Sequence, residues 1–195
     1  MICGQTARPR NAAATRDNIL DAARVRFASE SYDDVGLREV ARDAGVDAAL
    51  ISRYFGSKED LFAAVLDACD NGSTLWDGPR EEFGRRVADK LVYHPKEGTA
   101  LQGMQIMLRS IGSARAQELV QASAASRFFG PFAEWLAGED AVIRARLASG
   151  IVLGMSVSRE LGGGFGLEPA ECERLRDRLA VMLQAVIDDD CPRGA

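Results

Sequence analysis

Histidine is nearly missing from this chain: His94 is the one histidine in 195 residues. The four cysteines, Cys3, Cys69, Cys172 and Cys191, form no Cys-x-x-Cys pair and have no histidine beside them. Zinc needs clustered ligands, so neither a metal nor another cofactor is expected, and the cysteines read as free thiols in a reducing compartment. A catalytic triad would have to be built on His94, which sits in "YHPKEG" before a proline. The run "GGGFG", Gly162 to Gly166, lacks the G-x-G-x-x-G spacing and follows a helical pattern, not a strand. It reads as a flexible connector. An enzyme is not expected.

Long apolar runs are missing too. The longest uncharged apolar-rich stretch, Leu147 to Ser158, has 12 residues, against the ~20 a spanning helix requires. The opening "MICGQTARPRNAAATR" holds three arginines and no apolar h-region, so no secretory signal and no membrane partner are expected, and the expected location is the cytoplasm. A basic excess is absent: the net charge is −5, and residues 1–66 carry nine basic and ten acidic side chains, a net of −1. That argues against a protein that coats nucleic acid, but not against one docking face, because phosphates respond to a local patch. No alternating strand pattern and no internal repeat is found. With 47% hydrophobic and 27% charged residues the chain is globular in composition, with room for one or two domains.

Helical periodicity is what remains, and the expected fold class is all-α. Residues 1–14 carry Arg8 and Arg10 with no acid and read as a flexible basic arm. Thr15 is a plausible N-cap for a first helix with Ile19, Ala23 and Phe27 on one face. Further helices are expected over 37–44 and 48–54 and from Ser57, where Ser57 and Asp60 form an S-x-x-D capping box. "DNGSTLWDGP", Asp70 to Pro79, is the expected boundary. Beyond it helices are expected over about 79–91, 99–111, 117–123, from Pro131, over 140–161 and over 169–187, the last with Pro169 in its first turn.

The segment "LREVARDAGVDAALISRYFGSKEDLF", Leu37 to Phe62, joins several features in one register. Ala41 suits the close crossing of two short helices, Gly45 suits a left-handed helix end, and Asp47 can cap the following helix. Val40, Ala44, Val46, Ile51 and Tyr54 fall at inward positions. Together they specify a helix-turn-helix. In a helix over 48–54 the outward residues near the N-terminus are Asp47, Ala48, Ala49, Ser52 and Arg53. Ala48 and Ala49 permit close approach to base edges and thymine methyls, and Arg53 suits guanine or a phosphate. Tyr54 and Lys58 read as phosphate anchors, with Arg38 on the same expected face. Arg8 and Arg10 either reach an adjacent minor groove or form a solvated tail.

Thr15 to Phe62, above all "ILDAARVRFASESYDD" and "VARDAGVDAALISRYFGSKEDLF", resembles the DNA-binding domain of the TetR family of transcriptional regulators. The resemblance covers 48 of 195 residues. It implies an all-helical homodimer, with residues 15–66 as a helix-turn-helix DNA-binding domain and 67–195 as a helical ligand-binding and dimerisation domain. It further implies a ligand-released repressor on a double-stranded, palindromic DNA operator, the ligand acting on the separation of the two recognition helices. Four positions depart from the family pattern: Ser31 before Tyr32 in place of Gly, Gly36 in place of Thr, Asp47 in place of Ser, and Ser52 in place of Tyr. They bear on two phosphate contacts and add negative charge near the groove. The alternative reading is a helical dimeric protein-interaction module with a degenerate DNA-binding face.

For the larger domain, the last two helices are the expected dimer contact. Val142, Leu147, Ile151 and Val157 there mix with the small Ala145, Ala148, Gly150 and Gly154, followed by Leu175, Leu179, Met182, Leu183 and Val186. Among the aromatic and Met residues, Met104, Met107, Leu108, Phe128, Phe132 and Trp135 are the expected border of a pocket for an unknown, partly apolar small-molecule inducer. His94 or Arg109 is a lesser candidate for a polar contact.

Overall fold

The structure, a computed structural model, describes residues 8–69 and 75–188. Residues 1–7 of the expected arm, residues 70–74 of the expected boundary, Cys3 and Cys191 lie outside them. Among the described residues all regular structure is helical: α1 Arg8–Ser29, α2 Leu37–Asp43, α3 Ala48–Phe55, α4 Lys58–Cys69, α5 Phe83–Tyr93, α6 Gly98–Arg109, α7 Ala114–Ala124, α8 Gly130–Leu136, α9 Ala141–Leu161 and α10 Pro169–Asp188. Helix α1 starts seven residues before the Thr15 cap expected from sequence, and residues 8–14 form its first turns. Pro9 fits there because a first-turn residue has no intrahelical use for its N–H, and Ala12 to Ala14 are strong helix formers.

Two compact units divide the chain, and the division interleaves the sequence. Unit one takes the residues up to 71 together with 97–123; unit two takes 72–96 and the residues from 124 onward. Helices α6 and α7, which follow the expected 66/67 boundary in sequence, group with the helix-turn-helix in unit one. They are tied to it by Arg24 Nε donating to Gln102 Oε1 at 2.9 Å, Arg109 Nε to the Ala28 carbonyl at 2.8 Å and Ser113 Oγ to Asp33 Oδ1 at 3.0 Å. Helices α4 and α6 cross closely, since a Cβ on Gly103 would lie 2.9 Å from Cys69 Cβ. The core of unit one holds Ile19, Ala23, Phe27, Val40, Ala41, Ile51, Leu61, Phe62 and Val65, joined by Ile106 and Ala116 from α6 and α7. The Phe27, Tyr32 and Phe62 rings pack edge-on and stacked at 4.9 to 5.9 Å.

In unit two, α10 lies along α5 with Gly84 at the closest approach. A Cβ there would fall 2.2 Å from the Ala180 carbonyl oxygen and 2.9 Å from Gln184. The Gly84 N–H donates to Gln184 Oε1 at 2.9 Å. A five-residue π-turn, Ala125–Phe129, precedes α8. Its closing bond runs from the Gly130 N–H to the Ala125 carbonyl, and the wider turn accommodates Pro131, which an α-helix interior would reject.

Arginines are the recurring fastener of helix ends. The Arg80 guanidinium donates to the Trp135, Leu136 and Ile187 carbonyls at 2.8 to 3.2 Å. Arg144, buried inside α9, donates to Ile187 at 2.9 Å and also to Ala137. Arg159 donates to Leu91 at 2.8 Å. Each points a cation at C-terminal carbonyls left without intrahelical partners.

The two glycines give contrasting expectations. Gly84→Ala overpacks a helix crossing and should lower stability by about 1–3 kcal/mol. Gly45→Ala meets open space, its cost limited to the left-handed φ of 67°, and should lose about 1 kcal/mol. Chemical denaturation of both variants checks the order; a Gly84→Ala protein as stable as the parent would contradict the packing. In unit one the Arg26 guanidinium, hydrogen-bonded to Asp43 at 2.5 Å, holds that carboxyl below its ordinary value of 3.8, and Ser57 does the same to Asp60. Carboxyls lowered by folding stabilise above their unfolded-state pKa and lose that contribution as pH falls through the folded value. Melting temperature should thus decline below about pH 4, and Asp43→Asn with Asp60→Asn should flatten that decline.

Candidate functional site

The turn between α2 and α3 is built by its own sequence. The Gly45 N–H donates to the Arg42 carbonyl at 3.2 Å and the Val46 N–H to the Ala41 carbonyl at 2.9 Å, the bond pair of a Schellman end, with Gly45 left-handed. Ala41 and Ile51 are buried where the helices meet. Asp47 then caps α3, accepting from the Ala49 N–H at 2.8 Å. Helix α4 opens on the reciprocal box expected from sequence: the Asp60 N–H donates to Ser57 Oγ at 3.1 Å, and the Ser57 N–H to Asp60 Oδ2 at 3.0 Å. Gly56 must be small there, since a Cβ would meet Asp60 Oδ2 at 2.9 Å. Gly36, at the N-cap of α2, has no side chain to offer; its N–H is taken by Glu39 Oε2 at 3.3 Å.

Seven side chains were expected at the DNA face, and they differ in exposure. Ala49, Ser52, Arg53 and Arg38 are exposed, and Ala48, Tyr54 and Lys58 are half-buried. The Lys58 ammonium sits 4.5 Å above the Tyr32 ring. Among the described residues no side chain pairs with Arg38 or Arg53, whereas most of the acids of this acidic segment are occupied. Arg26 gathers Asp43 at 2.5 Å, Glu30 at 2.9 Å and Glu39 at 3.7 Å. Glu59 faces Arg115 at 3.6 Å, Asp33 accepts from Ser113, and Asp47 and Asp60 serve as caps. A segment of net charge −1 can thus still present unpaired arginines. Sequence reasoning passed over exposed Arg42, one turn from Arg38 on α2, although that i, i+4 spacing was visible. It also passed over Arg16, which lies 4.9 Å over the Phe55 ring.

The six expected pocket residues fall in different units. Met104, Met107 and Leu108 are on α6 in unit one, with Met104 buried and the other two exposed. Phe128, Phe132 and Trp135 are together in unit two, where Trp76 stacks on Phe132 at 4.9 Å and Phe83 lies 5.7 Å from Trp135. Phe132 is fully buried in that cluster. His94 is exposed at the end of α5, and Arg109 is engaged with the Ala28 carbonyl. Among the described residues no group of three His, Cys, Asp or Glu is placed to hold a metal.

Helix α9 is long and apolar enough, on length and composition alone, to cross a membrane, more so than its 12-residue uncharged run implied. Yet Arg144 within it donates to carbonyls of this same unit. Its exposed apolar side chains Val142, Ile143 and Leu147, with Arg146, Gly150 and Ile151, line a shallow groove of about 570 Å³. Gly150 and Gly154 have open space beside them. On α10, Val181 and Met182 are also exposed. By contrast Ala145, Ala148, Leu179 and Leu183, expected at a dimer contact, are consumed inside the protomer.

Comparison with known proteins agrees with this architecture. The description "Bacterial regulatory proteins, tetR family" matches residues 19–65, and "Tetracyclin repressor-like, C-terminal domain" matches 81–187. The chain is 40% identical over 60 residues to the HTH-type transcriptional repressor NicS of Pseudomonas putida, a stretch covering 31% of this chain and 28% of NicS. Its fold is similar to a TetR-family regulator of Streptomyces coelicolor A3 (24% identity, 95% and 100% of the two chains covered, TM-score 0.55). It is also similar to NalD of Pseudomonas aeruginosa, the secondary repressor of the MexAB-OprM efflux pump (18%, 87% and 95%, 0.64). A third likeness is a regulator from Saccharomonospora viridis in complex with choline (18%, 88% and 96%, 0.56). With one family description on the helix-turn-helix and another on more than half of the chain, this protein belongs to the TetR family of bacterial transcriptional regulators.

Proposed function

We propose that the chain is a repressor that acts in the cytoplasm as a homodimer on a palindromic operator and is released by a small molecule. The observation that carries the DNA-reading part is the pairing pattern of unit one: Arg38 and Arg53 stay unpaired beside a capped α3 whose exposed face is small, while Arg26 withdraws Glu39 and Asp43. In this reading Ala48, Ala49 and Ser52 approach base edges and Arg53 takes a guanine or a phosphate. Arg38, Tyr54 and Lys58 hold the backbone. Dimerisation uses the exposed faces of α9 and α10, where Val142, Ile143, Leu147, Val181 and Met182 would otherwise meet water. The effector is a partly apolar molecule taken up at the aromatic cluster of unit two, Phe128, Phe132 and Trp135 with Trp76. Met104, Met107 and Leu108, in unit one, are kept as candidates of lower rank.

Two expected outcomes follow. Selection from genomic fragments should recover a defined duplex whose binding weakens steeply with salt. On it Arg53→Ala should lose about 1–3 kcal/mol, read by gel shift. Failure of any duplex to enrich would contradict the repressor and favour the protein-interaction reading, to which Asp47 at the groove face lends its charge. For the dimer, Leu147→Glu combined with Met182→Glu should convert the wild-type dimer to monomer in sedimentation equilibrium, with helicity unchanged. A variant that stays dimeric would place the contact elsewhere.

A further inference from the structure

Arg86, on α5 in unit two, breaks the pattern set by the other occluded arginines. Arg80, Arg144 and Arg159 each donate to helix-end carbonyls. Arg86 Nε and Nη2 are buried with no hydrogen-bond partner; Arg144 Nε is unpartnered too, but that guanidinium still donates through both of its Nη nitrogens. The backbone at Gly78 covers the guanidinium, since a Cβ there would lie 3.0 Å from both Cζ and Nε. The acid one turn onward, Asp89, is engaged by Arg176 at 3.3 Å, and Glu82, one turn back, is exposed. Arg86 is half-buried, and its two occluded nitrogens without an acceptor are unfavourable to folding, so they call for an explanation.

The identity of the two nitrogens is informative. Nε–H and the neighbouring Nη2–H form the side-on edge of the guanidinium, the edge that engages both oxygens of one carboxylate in parallel hydrogen bonds. No second cation accompanies them on α5 except Lys90 and Arg85, both exposed. One guanidinium balances a monoanion, not a phosphate dianion. Trp76, two residues before Gly78, is in the aromatic cluster, and Phe83, one turn before Arg86, lies 5.7 Å from Trp135.

We propose that Arg86 is a carboxylate-binding residue, and that the effector of this regulator carries a carboxylate on an aromatic or otherwise apolar body. This rests on the effector reading of unit two given above. The test is titration of the full-length protein with benzoate, with benzamide as its uncharged isostere and with inorganic phosphate, read by the fluorescence of Trp76 and Trp135. The expected result is a saturable response to benzoate at millimolar concentration, at least about tenfold weaker for benzamide and absent for phosphate. Arg86→Met should abolish it, and Arg86→Lys, a charge without the fork, should weaken it. In the absence of anions Arg86→Met should melt at or above the wild-type temperature, since it removes an unpaired cation; an arginine with a purely structural role would give a drop. No benzoate response, an equal response to benzamide, a response to phosphate alone, or wild-type binding by Arg86→Met would each overturn the proposal. Benzoate binding through Arg86 that leaves the DNA complex unaffected would uphold the site and sink the effector reading instead.

Discussion

The close crossing of α2 and α3 is the constraint on which the DNA-facing geometry depends. Ala41 lets the helices meet, Gly45 turns the chain left-handed between them, and Asp47 restarts the helix. Nothing in α3 is long enough to hold its own position: eight residues make a marginal helix alone. Its orientation comes from Ile51 seated in a core that also contains Phe27 and Phe62, side chains worth roughly 1.5–3 kcal/mol each when fully buried. Arg26 adds the electrostatic half of the same arrangement by tying α1 to Glu39 and Asp43 of α2.

Helices α6 and α7 extend that unit. Through Gln102, Arg109, Ser113 and Ile106 they share the core and polar ties of the helix-turn-helix. The chain leaves this unit at Ser123 and enters the other at Ala124, next to the π-turn that carries Phe128 and Phe129. The residues proposed to meet the effector thus follow closely in sequence on residues packed against the DNA-binding helices. In unit two, the arginines that cap helix ends contribute on the order of 1 kcal/mol each and explain why a buried Arg144 is tolerated in a largely apolar helix.

Local signals were legible in the sequence, and distant ones were not. The Gly45 turn, the Asp47 cap and the Ser57–Asp60 box are each written within a few neighbouring residues, and the structure contains all three. The start of α1 differs from the sequence reading because residues 8–14 hold too little apolar content to show a helical face. The interleaving of the units was not legible: Arg24 and Gln102 are 78 residues apart, and no periodicity records their meeting. The pocket residues were chosen by type alone, which is why three fell in one unit and three in the other. Arg86 left no signal at all, since an arginine on a mostly polar face of α5 becomes notable only when its donors are seen to be occluded.

The central claim is that two copies of this chain present α3 to two symmetric half-sites. Hydroxyl-radical footprinting of the complex on its selected duplex tests that most directly. The account predicts two protected segments related by a two-fold axis, their centres about 10 base pairs or a multiple apart. A single or asymmetric protected segment, or protection that persists unchanged at high salt, would contradict it.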